Sequence, residues 1–134
     1  MKGVIDTNVL VSALRSRNGA SNEIARRAFL KDFEIPLSLP LYLEYMDVLT
    51  RPGKVPLSRE EAVDFCQDIA AVATHHRIHF LWRPFLPDPK DDLLLELAVA
   101  SGSGYIITHN IGHLRQAVAF NVKGVRPAKF LSLL

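Results

Sequence analysis

Short β-branched runs alternate with stretches of helical period along this chain, and that alternation restricts the fold more than any other feature. Val4-Ile5 and residues 33–37, 78–81, 105–108 and 122–125 read as strands. Residues 9–14 and 24–30 between them are helical in period, the second begun by Ser21 as N-cap. Pro40 opens a helix carrying Leu43, Met46, Val48 and Leu49, and Arg51-Pro52-Gly53 stops it. Ser58-Arg59-Glu60-Glu61 is a capping box ahead of Val63, Cys66, Ile69, Ala70 and Ala73. Residues 84–89 are proline-rich and extended. Asp91 or Asp92 starts an apolar helix to Ala100, which Gly102 and Gly104 end. Residues 111–120 read as helical, and Pro127 starts a last helical turn. The pattern predicts an α/β protein with a central, mainly parallel sheet of four to five short strands.

At 134 residues, with 49% hydrophobic and 22% charged side chains, a single domain over residues 1–134 is expected, without repeat, linker or low-complexity segment. Cys66, the lone cysteine, has no partner for a disulfide and cannot seed a Cys-rich zinc site, which points to a reduced, intracellular setting. Residues 97–114 carry no formal charge, but Ser101-Gly102-Ser103-Gly104 and Thr108-His109-Asn110 would leave polar groups unsatisfied in lipid. No membrane span and no targeting segment are expected.

In a parallel α/β sheet, ligands gather where strands end. Asp6-Thr7-Asn8 follows the first strand and Thr108-His109-Asn110 the fourth. Asp88-Pro89-Lys90-Asp91-Asp92 precedes the helix feeding the fourth strand, and Glu44 lies on the helix after the second. Each has a plain structural reading, since Asp6, Asn8 and Asn110 are good N-caps, Asp91 and Asp92 suit a helix's first turn, and Glu44 suits a solvated face. Their convergence argues for more. Carboxylates brought to one edge repel one another unless a cation lies between them, and hard oxygen donors suit Mg²⁺ or Mn²⁺.

The chain resembles the PIN-domain family, most closely its bacterial and archaeal members that act as toxins of toxin–antitoxin pairs. The resemblance lies in Val4-Ile5-Asp6-Thr7-Asn8-Val9-Leu10 and Glu44-Tyr45-Met46-Asp47-Val48-Leu49-Thr50-Arg51-Pro52. It continues through Asp88-Pro89-Lys90-Asp91-Asp92-Leu93-Leu94-Leu95-Glu96-Leu97-Ala98, Tyr105-Ile106-Ile107-Thr108-His109-Asn110 and Pro127-Ala128-Lys129-Phe130-Leu131. It implies a three-layer α/β/α fold and a cytoplasmic, metal-dependent endoribonuclease that cuts RNA with Mg²⁺ or Mn²⁺. It also implies a cognate antitoxin protein and a homodimer. Carried over by position, Asp6, Glu44 and Asp92 are the metal-holding, catalytic acids, with Asp91 the runner-up to Asp92. Asn8 and Thr108 would orient the first acid and bound water. Asn110 stands where many relatives have a fourth acid and brings no charge, so the alternative is a non-catalytic or weakly active module that binds RNA or protein.

Setting aside the three acids leaves 16 basic residues against 11 acidic ones, a surplus suited to phosphate backbones. Arg15, Arg17, Arg26, Arg27, Arg51 and Arg83 are candidates for a basic rim. His113 is a candidate ligand or proton carrier. The apolar stripes of the helices from Ile24 and Val63 would serve either a dimer interface or the core. A receiver-type phosphoacceptor would require a lysine after a late strand, and residues 108–112 contain none. His75-His76-Arg77-Ile78-His79 suits a polar turn better than zinc, which takes spaced ligands from two elements.

Overall fold

The computed structural model describes residues 1–79 and 85–134. Three strands, β1 (Gly3–Ile5), β4 (Tyr105–Ile107) and β5 (Lys123–Val125), form a parallel sheet in the order β1-β4-β5. Beyond the other edge of β1, β2 (Pro36–Leu37) pairs in parallel with β3 (Thr74–His75). One parallel bridge, Lys2 to Glu34, links the two pieces, with the Gly3 amide donating to the Glu34 carbonyl at 3.0 Å. The strand order reverses at the β1–β4 junction, because β1 is flanked by β4 on one side and by the β2 segment on the other. Such a reversal opens a crevice beyond the strand ends.

Consecutive residues Val4 and Ile5, and Ile106 and Ile107, are all buried, so both faces of the sheet are covered. Helix α5 (Pro89–Ser101) packs on β1, β2 and β4. Phe130 of α6 (Pro127–Leu133) closes on the Gly3 side, edge-on to Phe33 and Tyr105. A Cβ at Gly3 would lie 2.9 Å from Ile107 Cδ1, so that close approach requires glycine. The remaining helices are α1 (Thr7–Arg15), α2 (Ala20–Phe29), α3 (Leu39–Leu49) and α4 (Arg59–Val72). The Ser58 capping box forms on α4, and Gly102 ends α5 in the left-handed region at φ 71°.

Two expectations shift. Of the strand expected at 78–81, residues 78 and 79 lie outside any strand, and the strand found nearby is β3 at Thr74–His75, where the Thr74 amide donates to the Ile35 carbonyl and the His76 amide to the Leu37 carbonyl. The rest of that expected strand, and Arg83 and Pro84, fall in residues 80–84, outside the described residues. Ser21 does not cap α2; Gly19 holds that position, and buried Ser21 meets His109 instead. Residues 111–120 are helical as expected, in 3₁₀ turns broken by non-helical geometry at Leu114. Of the two uses left open for the stripes on α2 and α4, the core is the one found, for Ile24, Ala62, Cys66 and Ile69 all lie in it. No described helix is long and apolar enough to cross a membrane.

Candidate active site

Where β1 ends, Asp6 turns the chain into α1 with extended backbone, its amide held by the Ile107 carbonyl at 2.9 Å. Its side chain makes no cap to α1; Oδ2 accepts from Thr108 Oγ1 at 2.7 Å, and the Asn110 amide donates to that same hydroxyl oxygen at 3.0 Å. Thr108 is fully buried, with its amide donating to the Val125 carbonyl. The ends of β1, β4 and β5 are thereby locked together, with Asp6 facing the crevice.

The second acid is fixed by two contacts that the sequence does not announce. Glu44 Oε2 accepts from Thr7 Oγ1 at 2.5 Å, and the next residue, Tyr45, donates its buried hydroxyl to the Ile5 carbonyl at 2.5 Å. Tyr45 thus ties α3 to the end of β1 and sets Glu44 beside Asp6. Burial, and then the charges of Asp6 and Glu44, push the Tyr45 hydroxyl well above its ordinary range, so it stays a donor. The adjacency Glu44-Tyr45 and the threonine after Asp6 were the only sequence signals for this pair.

Asp92, the acid expected third, does not line the cavity that Asp6 and Glu44 line. Asp92 is buried, and its carboxylate turns away from the crevice: Oδ1 accepts from the Leu86 amide at 2.9 Å and Oδ2 from the Phe85 amide at 3.3 Å. Its neighbour Asp91 lines the same cavity as Asp6 and Glu44. Successive residues on a helix point about 100° apart, so both cannot face one place. Asp91 Oδ2 is buried without a hydrogen-bond partner, as is Asn8 Oδ1 on the same cavity wall.

The cavity has a volume of about 450 Å³. Asp6, Glu44, Asp91 and the amides of Asn8 and Asn110 line its acidic side, and Asp88 stands at its edge. Arg15, Arg51, Lys54 and Lys90 supply positive charge around it, with His109 and His113. Of the expected rim, Arg26 and Arg27 are instead paired with Glu23 on α2, and Arg17 does not line the cavity. His75 and His76 lie elsewhere, engaged with the Ala70 carbonyl and the Thr74 hydroxyl.

The acids sense one another. Burial raises the proton affinity of Asp6 most; the Thr108 hydroxyl lowers it, Glu44 raises it, and the amides of Thr7 and Asn8 lower it. Burial pushes Asp91 up to about 6, with Asp6, Asp88 and Glu44 adding to the rise and His113 opposing it. Uncompensated negative charge is therefore concentrated at one place in the molecule. Among the described residues, no three His, Cys, Asp or Glu side chains form a group that could hold a metal ion as they stand. What is present is a set of oxygen donors around a cavity, one buried carboxylate oxygen among them unpartnered, and that chemistry fits a hard divalent cation. Cys66 is buried, its thiol pushed up to about 11, with no part in this region.

A family model described as PIN domain matches residues 2–112. No curated protein matches the chain. Among solved structures, one chain of the crystal structure of VapBC2 from Rickettsia felis bound to a DNA fragment from their promoter has a TM-score of 0.65, at 15% identity. That match covers 94% of this chain and 98% of the other, and at this identity it concerns the fold alone.

Proposed function

The chain belongs to the PIN-domain family, and on that premise we propose that it is a metal-dependent endoribonuclease, the toxin of a toxin–antitoxin pair. The observation that carries this reading is the meeting of Asp6, Glu44 and Asp91, from three separate segments, at one cavity where Asp6 and Asp91 are held above their usual proton affinity. Asp6, Glu44 and Asp91 would hold Mg²⁺ or Mn²⁺, with Asp91 taking the place the sequence assigned to Asp92. A bound divalent ion would supply a polarised water as nucleophile and charge stabilisation at the scissile phosphate.

This chain's own residues do the positioning. Thr108 orients Asp6, Thr7 orients Glu44, and Tyr45 keeps α3 at the strand end. Asn8 and Asn110 offer amide groups at the cavity for water or substrate oxygens. Arg15, Arg51, Lys54 and Lys90 attract the RNA backbone, so binding weakens as salt rises. Arg15 Nε is tied to the Lys54 carbonyl at 2.8 Å, and Arg51 is paired with Asp47, which fixes their charges at the rim.

The toxin reading rests on the family, whose fold is shared by a chain of the VapBC2 structure; its partner would be an antitoxin protein whose segment covers the acidic cavity. Cytoplasmic location and homodimer formation belong to the same proposal. The dimer surface is not one of the stripes on α2 and α4, because those residues fill the core.

The test is cleavage of end-labelled RNA with Mg²⁺ or Mn²⁺ by the wild type, Asp6→Asn and Asp91→Asn. The wild type cuts and both variants lose cutting; equal cutting by Asp6→Asn defeats the assignment. Asn110, a neutral amide on the cavity wall, favours a second reading in which the module binds RNA or protein but cuts weakly. A large gain on Asn110→Asp would support that reading, and no change would mean the amide suffices.

A further inference from the structure

We infer that His113 is a metal-binding residue of this site, adding an imidazole nitrogen to its carboxylates and turning its preference from Mg²⁺ toward Mn²⁺. The inference rests on the metal reading of the cavity given above.

Its Nδ1 lies 3.6 Å from Asp91 Oδ2. That is too long for a hydrogen bond, and Asp91 Oδ2 is indeed buried with no hydrogen-bond partner. Two donors bound side by side to one small ion, each about 2.1 Å from it, lie roughly 3–3.5 Å apart. The observed gap is thus close to that of two ligands of a common ion. Both residues line the same cavity as Asp6 and Glu44, and Asp91 is more than nine-tenths buried. The His113 backbone is fixed by its amide donating to the Asn110 carbonyl at 3.1 Å, while its side chain is 56% exposed and has room to turn.

Position in the chain completes the case. Asn110, one turn earlier, lines the same cavity with only a neutral amide, so His113 is the next side chain along the chain able to bind a metal ion there. An imidazole there favours first-row transition ions, whereas Mg²⁺ holds to oxygen. The other histidine on the wall, His109, is engaged with Ser21 Oγ at 3.2 Å and serves as a control.

The experiment uses Mn²⁺ and Mg²⁺ alone, without RNA. Pulsed EPR of the Mn²⁺-loaded protein is expected to show nitrogen coupling that disappears in His113→Ala and persists in His109→Ala. Calorimetric titration should show Mn²⁺ binding weakened about tenfold in His113→Ala while Mg²⁺ binding changes less than twofold. Wild-type protein carrying ¹⁵N-histidine shows without any substitution whether a histidine is bound, because a ligated nitrogen changes its coupling pattern with the isotope, and the two variants identify which one. Mn²⁺ binding that is lost in Asp6→Asn but shows no nitrogen coupling overturns the role of His113 and leaves the metal site standing. If the wild type binds no Mn²⁺, both readings fall.

Discussion

At the third residue of α4, Glu61 turns its carboxylate back onto the Ser58 amide at 2.9 Å, while Ser58 Oγ accepts from the Glu61 amide at 3.1 Å. At the third residue of α5, Asp91 does neither. There the N-cap, Asp88, accepts from the Lys90 amide, and Asp91 keeps an oxygen without a partner. The same sequence position thus carries an acid whose pKa is lowered by Ser58 and an acid whose pKa is raised by burial and neighbouring acids. The difference lies in surroundings. Glu61 stands in solvent and its charge is consumed by helix capping; Asp91 faces Asp6 and Glu44, and its capping duty is done by another residue. An acidic first turn becomes a candidate site only when something else caps the helix.

The contrast breaks hardest at Asp91 itself. Asp91→Asn is expected to lower RNA cleavage at least about a hundredfold, because a donor of the ion loses its charge. Cleavage rates at saturating Mn²⁺, with folding checked by circular dichroism, give the measure. Retention of wild-type rates would mean that Asp91 is merely a first-turn acid like Glu61. The next effect is on stability. Asp92→Ala strips the buried Leu86 amide and the part-buried Phe85 amide of their acceptor and should cost roughly 1–3 kcal/mol in urea unfolding. Mn²⁺ affinity, measured where the variant is folded, should stay near that of the wild type. If instead affinity collapses and stability holds, Asp92 is the ligand and the roles of the two neighbours are exchanged.

Sequence pattern picks out the acids that meet at the cavity but does not choose between Asp91 and Asp92. Asp6 and Glu44 were legible because each follows a strand or starts from a recognisable helix, and strand ends in a parallel sheet share an edge. Choosing between Asp91 and Asp92 requires the rotational phase of α5, and a helix buried along residues 91, 92, 94, 95, 96, 97 and 98 presents no apolar stripe from which to read it. The family resemblance, carried over by position, points to Asp92; in the structure the loop amides before the helix hold that side chain. Two-residue strands were likewise beyond reach, since Thr74 and His75 pair only because residues 35–37 lie alongside. Thr7 and Tyr45 position Glu44 through contacts 37 and 40 residues apart, which no local pattern encodes.

A smaller effect separates the two helix starts by pH. Asp91 holds its proton up to about 6 in the folded chain against 3.8 for the ordinary group, so between those values the native state binds more protons than the unfolded one. By linkage, its contribution to stability is greatest below about pH 4, falls as pH rises, and is lost above about pH 6 in metal-free protein. Urea midpoints in chelator at pH 4.5 and 7 should therefore diverge more for the wild type than for Asp91→Asn. Mn²⁺ should stabilise the wild type more at pH 7 than at 4.5, because ligands must be deprotonated. Identical pH slopes for wild type and Asp91→Asn would remove Asp91 from the set of perturbed acids.

The smallest effect belongs to α4. Its capping box works entirely on backbone amides, so Ser58→Ala removes an acceptor from the Glu61 amide and should lower stability by about 1 kcal/mol. The lowered pKa of Glu61 has the opposite pH sense to that of Asp91: its contribution is present above the unfolded value and is lost as pH falls through the folded one. Ser58→Ala removes only the hydroxyl and leaves the Ser58 amide, the larger cause of that shift, so it should flatten this acid-side loss in part. Mn²⁺ affinity and RNA cleavage should not move, because α4 supplies no residue to the acidic cavity. A change in either would mean that the start of α4 communicates with the site, and the division of labour between two acidic helix starts would fail at its quiet end.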